Sequence, residues 1–294
     1  MVWQDWTQVK EASFSLRPFP LVCSALVITF GYFIQIWTWY FITLKMRIAI
    51  SWWDTLESWL YSQLGKYLPG KVWLLLSRFY FYESKGKSKK VTSVALYIET
   101  ATIVIAAGLL FLVGLSFTKE VRSFYYDKQF VWLALLFLFA CLSLYPRILQ
   151  KIINWILIPF KKEPLSLTIA YTDILKILLI SIFSWAVGGI GFYFFVESIF
   201  SISSSQILFI AGSLAFASLL GLIAVFAPSG LGVREGVLAY LLSHVMPAPV
   251  AVIISILTRI WMTFIEIGLI GVIYLVGKFR KGFGKRRDDR TERE

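Results

Sequence analysis

The chain has 294 residues, 58% of them hydrophobic, with a mean hydropathy of +0.74 and a formal net charge of +12. Apolar windows of about twenty residues recur along it, which excludes a soluble globular protein and points to an integral membrane protein. Two cysteines, Cys23 and Cys141, and one histidine, His244, are too few for a disulfide framework, a zinc site or a Ser-His-Asp arrangement, so no metal and no cofactor is expected.

Residues 1–18 are mixed and aromatic, unlike a cleavable secretory signal, so the N-terminus is expected to be retained. Trp3, Trp6 and Phe14 recur at helical spacing, as in a helix lying at the membrane interface. Windows at 19–43, 91–117, 129–145, 173–198, 205–226 and 249–277 are each apolar enough to span. Segments 52–80 and 231–246 are apolar but interrupted or short. Between 147 and 162, Ile148, Ile152, Trp155 and Ile156 alternate with Arg147, Gln150 and Lys151, the pattern of a helix on the cytoplasmic surface. The tail, 278–294, is a run of eight basic and four acidic residues, read as a solvated flank.

The expected fold is therefore all-α: a polytopic transmembrane helix bundle of about eight membrane segments, with broken or re-entrant helices at 52–80 and 227–246. Residues 19–277 form one membrane domain with halves at 19–145 and 173–277. Charge sets the orientation. If 52–80 and 231–246 both cross and the N-terminus is cytoplasmic, twenty basic residues fall inside and five outside, with Arg78, Lys85, Lys87, Lys89 and Lys90 counted inside. The positive-inside rule then expects a cell-membrane protein with both termini cytoplasmic. A segment 52–80 that turned back would move the Lys85 to Lys90 cluster outside, so a crossing with a central break is expected. Because the basic residues flank membrane spans, the partners expected are membrane lipids with anionic headgroups, and not nucleic acid.

Charges within the apolar stretches are the costly residues, at about 2.5 to 3.5 kcal/mol each at mid-depth unless paired or hydrated. They are Lys66, Lys71, Glu99, Arg234, Glu235, Arg259 and Glu266. Seven such residues are expected to face the bundle interior, and Arg259 and Glu266, two turns apart on one helix face, are expected to pair. Four of the seven sit beside helix breakers. GKYLPGK holds Gly65, Pro69 and Gly70, and APSGLGVREG holds Pro228, Gly230, Gly232 and Gly236. Proline removes a backbone donor and glycine permits non-helical backbone, so both segments should be unwound. Unwound backbone at membrane depth must be buried in protein or line a hydrated cavity. Two such breaks, one in each half, are the sequence pointer to a transporter-type binding site. Helices starting after Gly70 and Gly230 would add partial positive charge beside Lys71 and Arg234, a favourable place for phosphate. GLG at 230–232 lacks the βαβ setting of a dinucleotide fingerprint, and Asp54 with Glu57 reads as a polar interfacial face.

GKYLPGKVW after the first span, PSGLGVREGVLAYLL near the end and the following PVAVIISILTRIWMTFIEIGL resemble the lysylphosphatidylglycerol synthase transmembrane region family of flippase-like proteins. The resemblance runs from about residue 15 to 277. It implies that Lys66, Pro69, Gly70, Lys71, Pro228, Gly230, Gly232, Arg234, Glu235 and Arg259 are substrate-binding positions. Glu99 and Glu266 are expected in support. The family includes the membrane half of enzymes that aminoacylate and translocate phosphatidylglycerol, but nothing like their soluble aminoacyltransferase domain follows Gly277 here, so aminoacyl transfer is not expected. The function expected is a lipid translocase moving a phospholipid or polyprenyl-phosphate-linked headgroup, and not an enzyme. The alternatives are a membrane-embedded lipid transferase with Glu235 or Glu99 as base, and a scaffold for a separately encoded glycosyltransferase.

Overall fold

A computed structural model describes residues 16–68, 72–116, 145, 148, 150–151, 169–224, 227 and 230–291. Among them the protein is all-α. Its helices are α1 (Pro18–Lys45), α2 (Trp52–Gln63), α3 (Val72–Ser84), α4 (Lys89–Ser116), α5 (Tyr171–Ile199), α6 (Ile207–Ile223), α7 (Val233–Leu242) and α8 (Ala248–Thr291), with 3-10 turns at Leu64–Tyr67 and Ser204–Gln206. Five stretches are long and apolar enough to cross a membrane: α1, α4, α5, Ser204–Ile223 and Ala248–Arg280. This is a multi-pass membrane protein. The window 129–145 (except Tyr145), residues 1–15, Cys141 and most of the surface helix expected over 147–162 lie outside the described residues.

Helix α1 shows how these sequences pack. Its prolines fall at the first turn, where a missing N–H costs nothing. Phe19, Val22, Leu26 and Phe30 are exposed along one side, while Ser24, Ile28, Gly31 and Ile34 are buried on the other. Both sides are apolar, so polarity does not mark the protein-facing side; small residues such as Ser24 and Gly31 let a neighbouring helix approach there. A Cβ on Gly31 would lie 3.7 Å from the Gly188 backbone, which shows how closely α1 and α5 approach.

The bundle has two ends. At one, Lys45 pairs with Asp173 at 3.0 Å, and Gly277 lies beside Glu57 and Trp53. At the other, the Arg17 N–H donates to Ser198 O at 2.8 Å, and Gly114 lies against Leu208. Helices α1 and α8 run parallel, since Ser24 accepts from Trp261 Nε1 at 3.1 Å and, further along both, Tyr32 lines a cavity with Glu266. Arg17 and Gly277 are therefore at opposite ends of the bundle.

Residues 52–84 return to the end of the bundle at which they enter. Helices α2 and α3, 12 and 13 residues long, rise only about 18–20 Å each, short of the roughly 30 Å hydrocarbon core. They fold back on one another: Lys85 Nζ is 2.8 Å from Asp54 Oδ1, so the segment leaves at the end where it entered. It is a re-entrant hairpin, one of the two forms expected for 52–80, in place of the crossing with a central break that charge favoured. Ser51 starts it by accepting from the Asp54 N–H at 3.1 Å, an N-cap that apolar neighbours could not supply. A second hairpin comes from the opposite end, where Leu241 of α7 packs with Phe209 near the start of α6, and Gly230 sits on Gly221. With the native cysteines replaced, Arg47→Cys and Ser88→Cys are expected to react with an impermeant maleimide from the same side, and Ser204→Cys from the other. Labelling of Ser88→Cys from the Ser204 side would refute the hairpin.

Candidate functional site

The tips of the two hairpins meet α8 around a cavity of about 50 Å³ lined by Tyr32, Lys66, Tyr67, Arg234, Arg259, Met262, Thr263 and Glu266. Tyr32 is at the middle of α1, about 20 Å from either end, so the cavity lies at mid-depth. Space of this size holds a few waters or one compact group.

Each wall has a local cause. Helix α2 ends in the 3-10 turn Leu64–Tyr67, which projects Lys66 and Tyr67 from the hairpin tip. Lys66 Nζ donates to Glu266 Oε2, and Tyr67 Oη donates to Thr263 Oγ1 at 3.1 Å. From the other hairpin, Gly232 at φ +84° turns the chain into α7 and puts Arg234 in its first turn. Glu235 Oε2 accepts from the Gly232 N–H at 2.7 Å, and its Oε1 accepts from Arg259 Nη1 at 2.6 Å. One carboxylate thus caps α7 and fixes a cation of α8. Gly230, at φ +70°, is held for another reason: a Cβ there would lie 2.7 Å from the Gly221 Cα.

Of the three cations on the cavity, two have carboxylate partners. Arg234 Nη2 instead donates to Met262 Sδ at 3.0 Å, a weak acceptor, and no carboxylate lies within 4 Å of it among the described residues. Glu266 is 1% exposed, and its Oε1 accepts no hydrogen bond among the described residues. Tyr32 faces it from α1.

Lys66, Arg234 and Arg259 are therefore brought together, with Glu235 touching Arg259, while Gly230 and Gly232 shape the turn behind them. Pro69, Gly70, Lys71 and Pro228 lie outside the described residues. The expected Arg259–Glu266 pair does not form. Both line the cavity, yet each is claimed by a different hairpin tip. Glu99 lies elsewhere, accepting from Arg78 Nη1 at 2.6 Å and Trp59 Nε1 at 3.1 Å, with the Arg78 guanidinium 4.7 Å from the Trp39 ring centre. Arg78 is 3% exposed, so it is a buried partner and not the loop charge it was counted as. The additional lining residues Met262 and Thr263 share a face with Arg259 and Glu266 at helical spacing, a signal present in the sequence. Tyr32 carries no such signal.

A model of the lysylphosphatidylglycerol synthase TM region matches residues 1–271. The chain belongs to that family. The match takes in both hairpins, all of α1 to α7 and the part of α8 that bears Arg259 and Glu266. No curated protein matches the chain.

Proposed function

We propose that the protein is a flippase-like lipid translocase whose mid-depth cavity receives the phosphate of a phospholipid or a polyprenyl-phosphate-linked headgroup. The observation that carries this reading is Arg234, a half-buried cation with no carboxylate partner among the described residues, at the meeting point of two hairpins that come from opposite sides. A charge at such depth is retained where it meets a substrate or a counter-ion. Sites at the midplane between broken helices are the usual plan of secondary transporters. The headgroup would slide in laterally while its chains stay in the bilayer, and no bond would be made or broken.

Charge supports an orientation. Among the described residues, Lys45, Arg47, Lys85, Lys87, Lys89, Lys90, Lys278 and Arg280 lie toward one end of the bundle, against Arg17 at the other. By the positive-inside rule the Lys45 end, from which α8 leads into the basic tail, faces the cytoplasm.

In vesicles reconstituted with the protein, a labelled phospholipid or polyprenyl phosphate is expected to exchange between leaflets faster than in protein-free vesicles. Arg234→Gln should remove at least tenfold of that acceleration while leaving the purified protein folded. Exchange at the protein-free rate for every lipid would sink the reading. Product formed from lipid and donor by the purified protein would assign transfer chemistry instead, and loss of a co-purifying glycosyltransferase's activity on deletion would assign a scaffold.

A further inference from the structure

Helix α1 ends in a turn that glycine would fill without strain, and the residue there is an arginine. The Arg47 N–H donates to Leu44 O at 3.1 Å and the Ile48 N–H to Thr43 O at 2.9 Å, the pair of bonds that closes a helix when the residue after its cap is left-handed. Arg47 stands at φ +58°, the one non-glycine at positive φ among the described residues. Glycine adopts this conformation without the crowding that a Cβ brings. A cation suits a helix C-terminus, but Lys45 in the last turn already supplies one. Arg47 is exposed and has no acidic partner within 4 Å among the described residues. The acids described at this end are engaged elsewhere: Asp54, Glu83 and Asp173 pair with Lys85, Lys89 and Lys45, and Glu57 accepts from Trp53 Nε1 at 2.7 Å.

Three aromatic rings lie just inside this turn and touch one another. Ring centres are 6.0 Å apart for Trp37 and Tyr40, 5.8 Å for Trp37 and Trp52, and 5.3 Å for Tyr40 and Trp52. Trp37 is 51% and Trp52 37% exposed, so the cluster faces outward instead of filling the core. Trp37 and Tyr40 sit about 12 and 8 Å along α1 from Lys45, and Trp52 opens α2, so the rings bridge α1 and the first hairpin. Amphipathic rings settle at the membrane–water interface, and a guanidinium beyond them is at the level of the lipid phosphates. We propose that Arg47 with Trp37, Tyr40 and Trp52 forms a binding site for one anionic phospholipid of the leaflet at the Lys45 end, and that the bound lipid fastens the root of the first hairpin to α1. The guanidinium meets the phosphate, and the rings pack on the glycerol and upper acyl chains. This lipid is held and not carried, so the inference stands apart from translocation.

Thermal unfolding of the full chain is followed in an uncharged detergent alone, and with phosphatidylglycerol or phosphatidylcholine of the same acyl chains added. For wild type, phosphatidylglycerol is expected to raise the midpoint by about 3 °C or more beyond phosphatidylcholine, because a ligand that binds only the folded protein stabilises it by mass action. Arg47→Gly should do two opposite things. In detergent alone it should raise the midpoint by about 1–3 °C, as the left-handed residue loses its side chain, and it should lose at least half of the phosphatidylglycerol increment. Trp37→Leu should lose a similar part of the increment with no gain in detergent alone. Lys87→Gln, in the basic turn between α3 and α4, should keep the increment. An Arg47→Gly protein that keeps the wild-type increment, or a Lys87→Gln protein that loses as much as Arg47→Gly, would assign the effect to diffuse attraction and overturn the site. A lower midpoint for Arg47→Gly in detergent alone would assign the residue to capping α1 and overturn it as well. Wild type stabilised equally by the two lipids would exclude an anionic ligand.

Discussion

Glu99→Leu is expected to destabilise the folded protein by about 3–5 kcal/mol, the cost of leaving a buried partner charge uncompensated. Arg78 and Glu99 are 3% and 2% exposed and 2.6 Å apart, so water cannot take over when one is removed. Trp59 Nε1 would lose its acceptor at the same time, which adds to the penalty. The cluster ties the first hairpin to α4 and, through Trp39, to α1, so its loss should also free the tip that bears Lys66. Removing both charges is a different matter. Arg78→Met combined with Glu99→Leu replaces the pair by apolar volume and should recover at least half of the lost stability, since the desolvation cost disappears with the attraction. Denaturant or thermal unfolding in detergent measures all three variants, and a Glu99→Leu protein within about 1 kcal/mol of wild type would show that the pair does not hold the hairpin.

Gly65→Ala should be the second most damaging change, and its effect should reach the cavity. A Cβ at Gly65 would lie 2.5 Å from Leu74 N and 2.6 Å from the Trp73 carbonyl carbon, both backbone atoms that no rotamer change can move. The two helices of the hairpin must separate, at about 1–3 kcal/mol. Lys66 is the next residue, so its hold on Glu266 is displaced with the tip. The expected result is loss of leaflet exchange in vesicles together with lower unfolding stability. Gly268→Ala, on α8 where an added methyl meets nothing within 4 Å, is the control and should be neutral or mildly stabilising. Equal behaviour of the two variants would refute the close approach at Gly65.

Much of the cavity was legible in the sequence, for a physical reason. Lys66 and Arg234 stood beside helix breakers within apolar segments, where a charge has few tolerable places to go. Arg259 and Glu266 were placed on one face by spacing alone. Which groups they would pair with was not legible, because that depends on which hairpin tip arrives at each level of α8, a matter of tertiary packing. Arg78 was misread because its partner, Glu99, lies across the turn between α3 and α4, and a charge near the end of a short apolar segment looks the same as a flanking one. Whether 52–80 crosses or returns was not legible from charge alone. A charge count orients alternate segments correctly only if every segment is scored properly as crossing or returning, and reading the returning stretch 52–84 as a crossing reverses the side assigned to everything before it relative to everything after. The helix lengths, 12 and 13 residues, and the 3-10 turn Leu64–Tyr67 decide for the returning form.

Helix α8 joins the two hairpins through separate fastenings. Glu266 is tied to the tip that comes from the Lys45 end, and Arg259 to the hairpin that comes from the Arg17 end. The two fastenings share no atom, so either can be undone while the other stays shut. In the translocase proposed above, such an arrangement would act like a canal lock with one gate at each water level, the chamber between them opening toward one side at a time.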